Sequence, residues 1–151
     1  LPEVVEGYLN QLSQISGREY HLFNYYGASD AERVVIGMGS VSETAREVVD
    51  YLRNRGEKVG YLQIHLYRPF SVKHFLGALP PTVRKISVLD RSREPGSIGE
   101  PVYLDVVAAF ANRENAPVIY GGRYGLSSKD VDPAQIKAVY DNMNSLFITI
   151  R

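Results

Sequence analysis

Short continuous apolar segments alternate along most of the chain with segments in which apolar residues recur every three or four positions. Continuous apolar runs are typical of strands buried on both faces, and a 3.6-residue period is typical of the helices that cover them. The pattern therefore predicts a three-layer α/β/α domain with about four parallel strands. The predicted strands are 34–38, 58–66, 86–89 and 117–121, and the predicted helices are 3–16, 42–55, 72–79, 100–112 and 133–144.

Two further segments have the character of strands but do not fit this alternation. Residues 18–26 are rich in aromatic side chains and alternate roughly between apolar and polar, which predicts an additional, half-exposed strand before the parallel set. Residues 146–151, Leu-Phe-Ile-Thr-Ile-Arg, also predict a strand, although they stand at the end of the sequence. Because the sequence also starts without methionine, we interpret residues 1–151 as a single domain excised from a longer protein.

Signals at the helix ends support these boundaries. Gly17 stands where a C-cap glycine is expected, and Asp132 stands at the N-cap of the last helix. Ser40 and Glu43 have the spacing of a capping box, in which the hydroxyl accepts from a first-turn amide and the glutamate reaches back to the cap. Ser71 is predicted to cap the short helix at 72–79.

Composition narrows the chemistry that these residues can carry. The chain has 151 residues, no cysteine, and 17 basic against 17 acidic side chains. Without cysteine it cannot supply thiolates to iron–sulfur clusters or zinc, form a disulfide or carry a thiol nucleophile. A net charge of zero with alternating signs argues against nucleic-acid binding. No apolar stretch approaches the roughly 20 residues that span a bilayer, and the first residues lack a signal-peptide pattern, so we expect a cytoplasmic protein without a membrane partner.

One strand-to-helix loop has the character of an anion site. Right-handed crossovers bring the loops after parallel strands to one edge of the sheet, where ligands of such folds bind. In the first of these loops, backbone amides can hold an anion, and the anion-loop candidates are Gly37, Gly39, Ser40 and Ser42. A dinucleotide fingerprint has a third glycine where Ser42 stands and an acid near the position of Arg68. We therefore favour a tight structural turn, with nucleotide or phosphate binding as the alternative.

The loops after the third and fourth parallel strands carry most of the charge at this edge. Loop 90–100 is long for a strand-to-helix connection and contains arginine, whose forked guanidinium binds carboxylates and phosphates. Loop 121–125 adds a further arginine. We predict an interaction surface here, rather than solvated loops whose charges only pair with each other. The candidates are Asp90, Arg91, Arg93, Glu94, Gly96, Glu100, Arg123 and Tyr124.

The sequence contains no recognisable catalytic or metal-binding pattern. His21, His65 and His74 fall on three different predicted elements and lack the spacing of metal ligands. No P-loop, nucleophile elbow or zinc-protease motif occurs. We therefore predict no catalytic residue and no metal ligand in this chain.

Four ordered segments resemble one known family. They are Val35–Ala45, Leu66–Phe70, Leu89–Val106 and Tyr120–Leu126. In order and spacing they are similar to the second domain of pyruvate:ferredoxin (flavodoxin) oxidoreductase, a transketolase C-terminal-like domain. The resemblance implies a five-stranded mixed sheet whose first strand is antiparallel, which agrees with the unusual strand at 18–26. It also implies an architectural domain of a multidomain enzyme that oxidatively decarboxylates pyruvate to acetyl-CoA and CO2 and passes electrons to ferredoxin or flavodoxin.

The same resemblance implies that thiamine diphosphate, magnesium and iron–sulfur clusters are held by other domains, with coenzyme A as co-substrate. We therefore expect the isolated chain to hold no cofactor and to be inactive. The expected partners are the other domains of the same enzyme and ferredoxin or flavodoxin, and the full enzyme is expected to be a homodimer. Two alternatives stay open: a freestanding nucleotide- or phosphate-binding module that uses loop 37–42, and a coenzyme A docking domain. The choice between pyruvate and another 2-oxoacid, and the electron acceptor, also stay open.

Overall fold

The computed structural model describes residues 1–145, in which five strands form one mixed sheet in the order β1-β3-β2-β4-β5. β1 is antiparallel to β3, and the other three pairs are parallel. The strands are β1 (Phe23–Gly27), β2 (Arg33–Met38), β3 (Val59–Ile64), β4 (Lys85–Asp90) and β5 (Val118–Arg123). The helices are α1 (Pro2–Ser16), α2 (Val41–Arg53), α3 (Val72–Ala78), α4 (Pro101–Phe110) and α5 (Pro133–Asn142), with a 3-10 turn at Leu126–Ser128.

This architecture confirms the predicted three-layer fold, including the antiparallel first strand. Apart from the start of β1, the predicted boundaries agree with the structure to within two residues. The predicted strand at 146–151 lies outside the described residues. Among residues 1–145, no helix has both the length and the apolar character that crossing a bilayer requires.

Each face of the sheet is covered by its own apolar layer. α1, α3 and α4 cover one face, where Ile36, Phe75 and Ile86 are fully buried. α2 and α5 cover the other face, around Val35 and Tyr61. Successive strand residues point to opposite faces, so Val35 and Ile36 enter different layers and both are apolar. This is why the buried strands appear in the sequence as continuous apolar runs.

β1 begins at Phe23, five residues later than the aromatic pattern predicts. Side chains of α1 take up the backbone amides of the preceding segment. Ser13 Oγ accepts from the Tyr20 amide at 2.8 Å, and Glu6 Oε2 accepts from the Leu22 amide at 2.9 Å. These two amides are therefore not available to a neighbouring strand, although the Leu22 carbonyl accepts from the His65 and Leu66 amides. The bonds of Ser13 and Glu6 also attach α1 to the body of the domain.

β5 extends to Arg123, two residues beyond the predicted end at Gly121, so Gly122 and Arg123 belong to the strand and not to the loop. Glycine at position 121 lets Tyr103 of α4 pack closely on the strand, because a Cβ there would lie 3.1 Å from the tyrosine ring. Gly121 therefore serves a helix–sheet contact, whereas a Cβ on Gly122 would lie 3.1 Å from a side-chain carbon of Leu89 on β4.

Two helix-end predictions are correct. Gly17 ends α1 in the left-handed conformation, with φ 70°, and its amide donates to the Ser13 carbonyl at 3.0 Å. Asp132 caps α5, since its carboxylate accepts from the Gln135 amide at 2.8 Å while the Gln135 side chain accepts from the Asp132 amide at 3.2 Å. This pair is a complete capping box.

Two other helix-end predictions are wrong. Ser40 has helical backbone angles, φ −64° and ψ −23°, and makes no side-chain cap bond, so the capping box with Glu43 does not form. An N-cap residue needs an extended backbone to aim its hydroxyl at the first turn. Ser71 has such a backbone, but its Oγ lies 2.7 Å from His74 Nδ1 and not on an amide.

Candidate functional site

The loops at the carboxyl ends of β2, β4 and β5 lie together at one edge of the sheet. The Tyr124 hydroxyl donates to the Met38 carbonyl at 3.2 Å, and the Tyr124 amide donates to the Asp90 carbonyl at 3.1 Å. Arg91 Nε donates to the Gly125 carbonyl at 3.2 Å. The sheet order reverses between β2 and β4, which is the position where parallel α/β sheets open a crevice. We call residues 37–42, 90–100 and 121–125 the carboxyl-edge surface.

Asp90, the last residue of β4, is only 3% exposed. Its Oδ1 accepts from the Val102 amide at 3.0 Å and its Oδ2 from the Tyr103 amide at 3.1 Å, both in the first turn of α4. Burial raises the pKa of Asp90, although these two hydrogen bonds favour the charged form. Asp90 therefore satisfies free amides at the start of α4 and turns away from the surface.

Glu100, directly before α4, is the second buried carboxylate of this surface. It forms an ion pair with Arg123 at the end of β5 and accepts from the Glu94 amide at 2.8 Å. Burial alone raises the pKa of Glu100, but the bonds from Arg123 and the Glu94 amide outweigh burial and hold the pKa below its usual value. The loop between β4 and α4 is thereby fixed onto β5.

The rest of this loop faces solvent. Arg93 and Gly96 are exposed, and Gly96 has φ 82°, which lets the chain turn sharply. Ser97 Oγ donates to the Gly99 carbonyl at 2.7 Å and holds the tip in shape. Ile98 between them is 96% exposed. Ile98 is not among the residues predicted for the interaction surface, although an apolar residue amid polar loop residues is a usable signal.

The anion-loop candidates divide into two inward and two outward residues. Ser42 is buried and its Oγ lies 3.0 Å from the Tyr61 hydroxyl, so the hydroxyl is used inside the domain. Gly37 lies above the same ring, where a Cβ would come within 2.9 Å of the Tyr61 oxygen. Only Gly39 and Ser40 are exposed, and Gly39 makes the turn with φ 76°. The packing accounts for Gly37 and Ser42 without a ligand.

The three histidines lie in separate places. His21 Nδ1 is 2.6 Å from Glu6 Oε1, where it links the loop before β1 to α1. His74 bonds to Ser71 in the cap region of α3, and His65 lies edge-on to Tyr20 with the ring centres 5.9 Å apart. Within residues 1–145, no three His, Asp or Glu side chains converge as metal ligands.

Comparison with known proteins gives concordant matches. A family model described as pyruvate:ferredoxin oxidoreductase core domain II matches residues 31–136. Pyruvate-flavodoxin oxidoreductase of Enterobacter agglomerans is 59% identical over 143 residues, which are 95% of this chain and 12% of that protein. Pyruvate:ferredoxin oxidoreductase of Moorella thermoacetica is 50% identical over 142 residues, which are 94% of this chain and 12% of that protein. The chain thus spans about an eighth of the length of these relatives.

A solved structure also resembles this domain. It is a 2-oxoglutarate:ferredoxin oxidoreductase from Magnetococcus marinus with 2-oxoglutarate, coenzyme A and succinyl-CoA bound, and it superposes with a TM-score of 0.55. The match covers 88% of this chain and 21% of that chain at 20% identity. At this identity the likeness shows a shared fold.

Proposed function

This chain belongs to the pyruvate:ferredoxin oxidoreductase core domain II family, and from this membership we propose that it is an architectural domain of an enzyme that oxidatively decarboxylates pyruvate. The enzyme converts pyruvate and coenzyme A to acetyl-CoA and CO2 and passes the released electrons to ferredoxin or flavodoxin. The observation that carries this proposal is the 59% identity, over 95% of the chain, to a pyruvate-flavodoxin oxidoreductase.

The carboxyl-edge surface supports an architectural role for the domain. A catalytic acid or base has to reach the substrate, but Asp90 is committed to the first turn of α4 and Glu100 to Arg123. Among the residues that the surface exposes are Ile98 at the apolar tip and Arg93, together with Arg91, Glu94 and Arg123. An apolar anchor beside an arginine on a pre-ordered loop is typical of a protein contact. We propose that loop 91–100 packs against another domain of the enzyme.

Two observations support placing the cofactors of such an enzyme in its other domains. With no cysteine, the chain offers no thiolate to an iron–sulfur cluster. Oxygen ligands hold magnesium, and within residues 1–145 no group of three His, Asp or Glu side chains is placed to bind a metal ion. We therefore propose that thiamine diphosphate, magnesium and the clusters are held by other domains. The full enzyme in this proposal is a cytoplasmic homodimer, with coenzyme A as co-substrate.

The test is acceptor reduction by the full-length enzyme, with pyruvate and coenzyme A as substrates and ferredoxin or flavodoxin as acceptor. We expect Arg93→Glu and Ile98→Asp to impair activity or assembly. The matched control is Arg113→Glu, an exposed arginine after α4 at the opposite edge of the sheet, which should leave both unchanged. A wild-type enzyme without pyruvate-dependent reduction refutes the proposed activity. Full activity in Arg93→Glu and Ile98→Asp refutes the proposed contact of loop 91–100.

A further inference from the structure

α1 carries an exposed apolar stripe that the domain itself does not cover. Eleven large apolar side chains are exposed in residues 1–145, and five of them lie on α1 or directly before it. Single exposed apolar residues are ordinary on protein surfaces, but a contiguous group marks a contact site. The five are Leu1, Val4, Tyr8, Leu12 and Ile15, with exposed fractions of 73, 57, 67, 44 and 85%.

These side chains share one side of the helix because they follow each other at intervals of three and four residues. Val5 and Leu9 pack against the domain. Because successive residues of a helix are rotated by about 100°, these two lie directly beside the stripe around the helix axis. Glu3, Asn10 and Gln14 lie on the remaining side, while the polar residues Glu6 and Ser13 face the domain. α1 therefore has a wide apolar arc of which the domain covers only one part, and none of its residues is fully buried.

The stripe is held in a fixed position. Glu6 binds both His21 and the Leu22 amide, at 2.6 and 2.9 Å, and Ser13 binds the Tyr20 amide at 2.8 Å. These bonds attach the helix to the segment before β1 at two points along its length. A partner therefore meets a pre-ordered apolar surface and has no helix to order on binding.

We propose that this stripe, the outer face of α1, is covered by an apolar surface of another domain of the same polypeptide. The proposal rests on the proposed function, because it requires the full multidomain enzyme. This chain spans only 12% of the Enterobacter agglomerans protein, so a relative of that length has many further residues that could cover the stripe. α1 packs in the same layer as α3 and α4 and contributes no residue to the carboxyl-edge surface. The stripe is therefore a second contact, in addition to the one proposed for loop 91–100.

Two other occupants fit the stripe less well. Helices that lie on membranes carry lysine or arginine on their polar face, whereas α1 has no basic residue and has Glu3 and Glu6. A second copy of the chain would meet the stripe with about five side chains, while a stable interface between separate molecules uses roughly 20 to 30 residues a side. A contact within one polypeptide needs less area, because the covalent link raises the effective concentration of the partner surface.

Photo-crosslinking in the full-length enzyme tests the proposal. A photoreactive benzoylphenylalanine replaces Tyr8 on the stripe or, as the matched control, Gln14 on the polar side of the same helix. We expect position 8 to yield cross-linked peptides from the same polypeptide outside residues 1–151, about tenfold above position 14. Equal yields at the two positions, products confined to this domain, or products that join two copies through position 8 would each overturn it.

Hydrogen exchange gives an independent readout. In the full-length enzyme, Ile15→Glu should raise exchange of the α1 amides about tenfold, because the covering surface separates from the helix. Gln14→Glu adds the same charge one residue away and should change little; equal exchange in the two variants contradicts the proposal.

Neither the cross-linking nor the hydrogen-exchange measurement requires a catalytically active enzyme. An active enzyme with no cross-link from position 8 refutes this inference alone, and an inactive enzyme with the cross-link refutes the proposed activity alone.

Discussion

The Asp90 carboxylate holds the Val102 amide at 3.0 Å, so the last residue of β4 caps α4 across the intervening loop. Asp90→Ala removes the acceptor of two amides and should lower the free energy of unfolding by about 1–3 kcal/mol. Asp90→Asn retains one acceptor oxygen and should cost less. Urea unfolding of the purified chain measures both variants. Asp130→Ala, at an exposed aspartate, is the control and should stay within about 0.5 kcal/mol of the wild type; an equal effect of Asp90→Ala contradicts the capping role.

Removing Arg123 from its ion pair with Glu100 should destabilise the domain more than neutralising Glu100. Arg123→Met leaves a buried carboxylate without its cation, whereas Glu100→Gln keeps an oxygen that can accept from the Glu94 amide. We therefore expect a lower urea midpoint at pH 7 for Arg123→Met than for Glu100→Gln. Arg91→Met is the comparison, because exposed Arg91 donates only to the Gly125 carbonyl. A reversed order of midpoints for the first two variants would show that Arg123 is not needed to hold Glu100.

The attachment of α1 should weaken in acid. Burial alone raises the pKa of Glu6, but the bonds from His21 and the Leu22 amide outweigh it and lower the pKa. A carboxylate with a lowered pKa in the folded state stabilises that state above its unfolded pKa of about 4.3, and this contribution is lost as the pH falls through the folded pKa. The protection of the Leu22 amide from hydrogen exchange, corrected for intrinsic rates, should therefore decrease below about pH 4.3.

Glu6→Gln should weaken this protection already at neutral pH and remove its pH dependence. Glu19→Gln, at an exposed glutamate of the adjoining loop, should behave like the wild type. Protection at Leu22 that is independent of both pH and Glu6 would mean that the apolar contacts of α1 suffice to hold it.

Two glycine-to-alanine substitutions should have opposite effects on the free energy of unfolding. A Cβ on Gly60 would lie 2.1 Å from the Tyr25 hydroxyl oxygen, so Gly60→Ala should destabilise the domain by about 1–3 kcal/mol. Gly77 lies inside α3 with no heavy atom within 4 Å of such a Cβ, so Gly77→Ala should stabilise by up to about 1 kcal/mol. Thermal unfolding of the purified chain measures both variants. Tyr25→Leu should remove most of the penalty of Gly60→Ala; additive effects would contradict the contact.

The order of elements and the positions of the loops could be predicted because both follow from apolar periodicity and right-handed crossovers. The later start of β1 could not, because it depends on Glu6 and Ser13 reaching amides across a turn. The prediction of a capping box at Ser40 is wrong for a similar reason. The sequence shows the spacing of residue types, but it does not show the backbone angles of Ser40.

The residues of the carboxyl-edge surface were identified correctly as neighbours, but not their directions. Asp90 turns inward because the first amides of α4 need acceptors, and Glu100 turns inward toward Arg123 and the Glu94 amide. The position of a charged residue in the sequence does not show which amide or guanidinium its side chain reaches. Ile98, the most exposed apolar side chain of the loop, is absent from the predicted surface because that prediction rests on charged residues.

The close fit of Tyr25 over Gly60 also limits how related sequences can diverge. The tyrosine ring fills the space where position 60 would carry a side chain, and Gly27 lies opposite Gly60 in the strand pair. A lineage that acquires a side chain at position 60 before it loses the ring at position 25 passes through a clash that costs about 1–3 kcal/mol. These two positions are therefore expected to change together, with loss of the ring favoured as the first step.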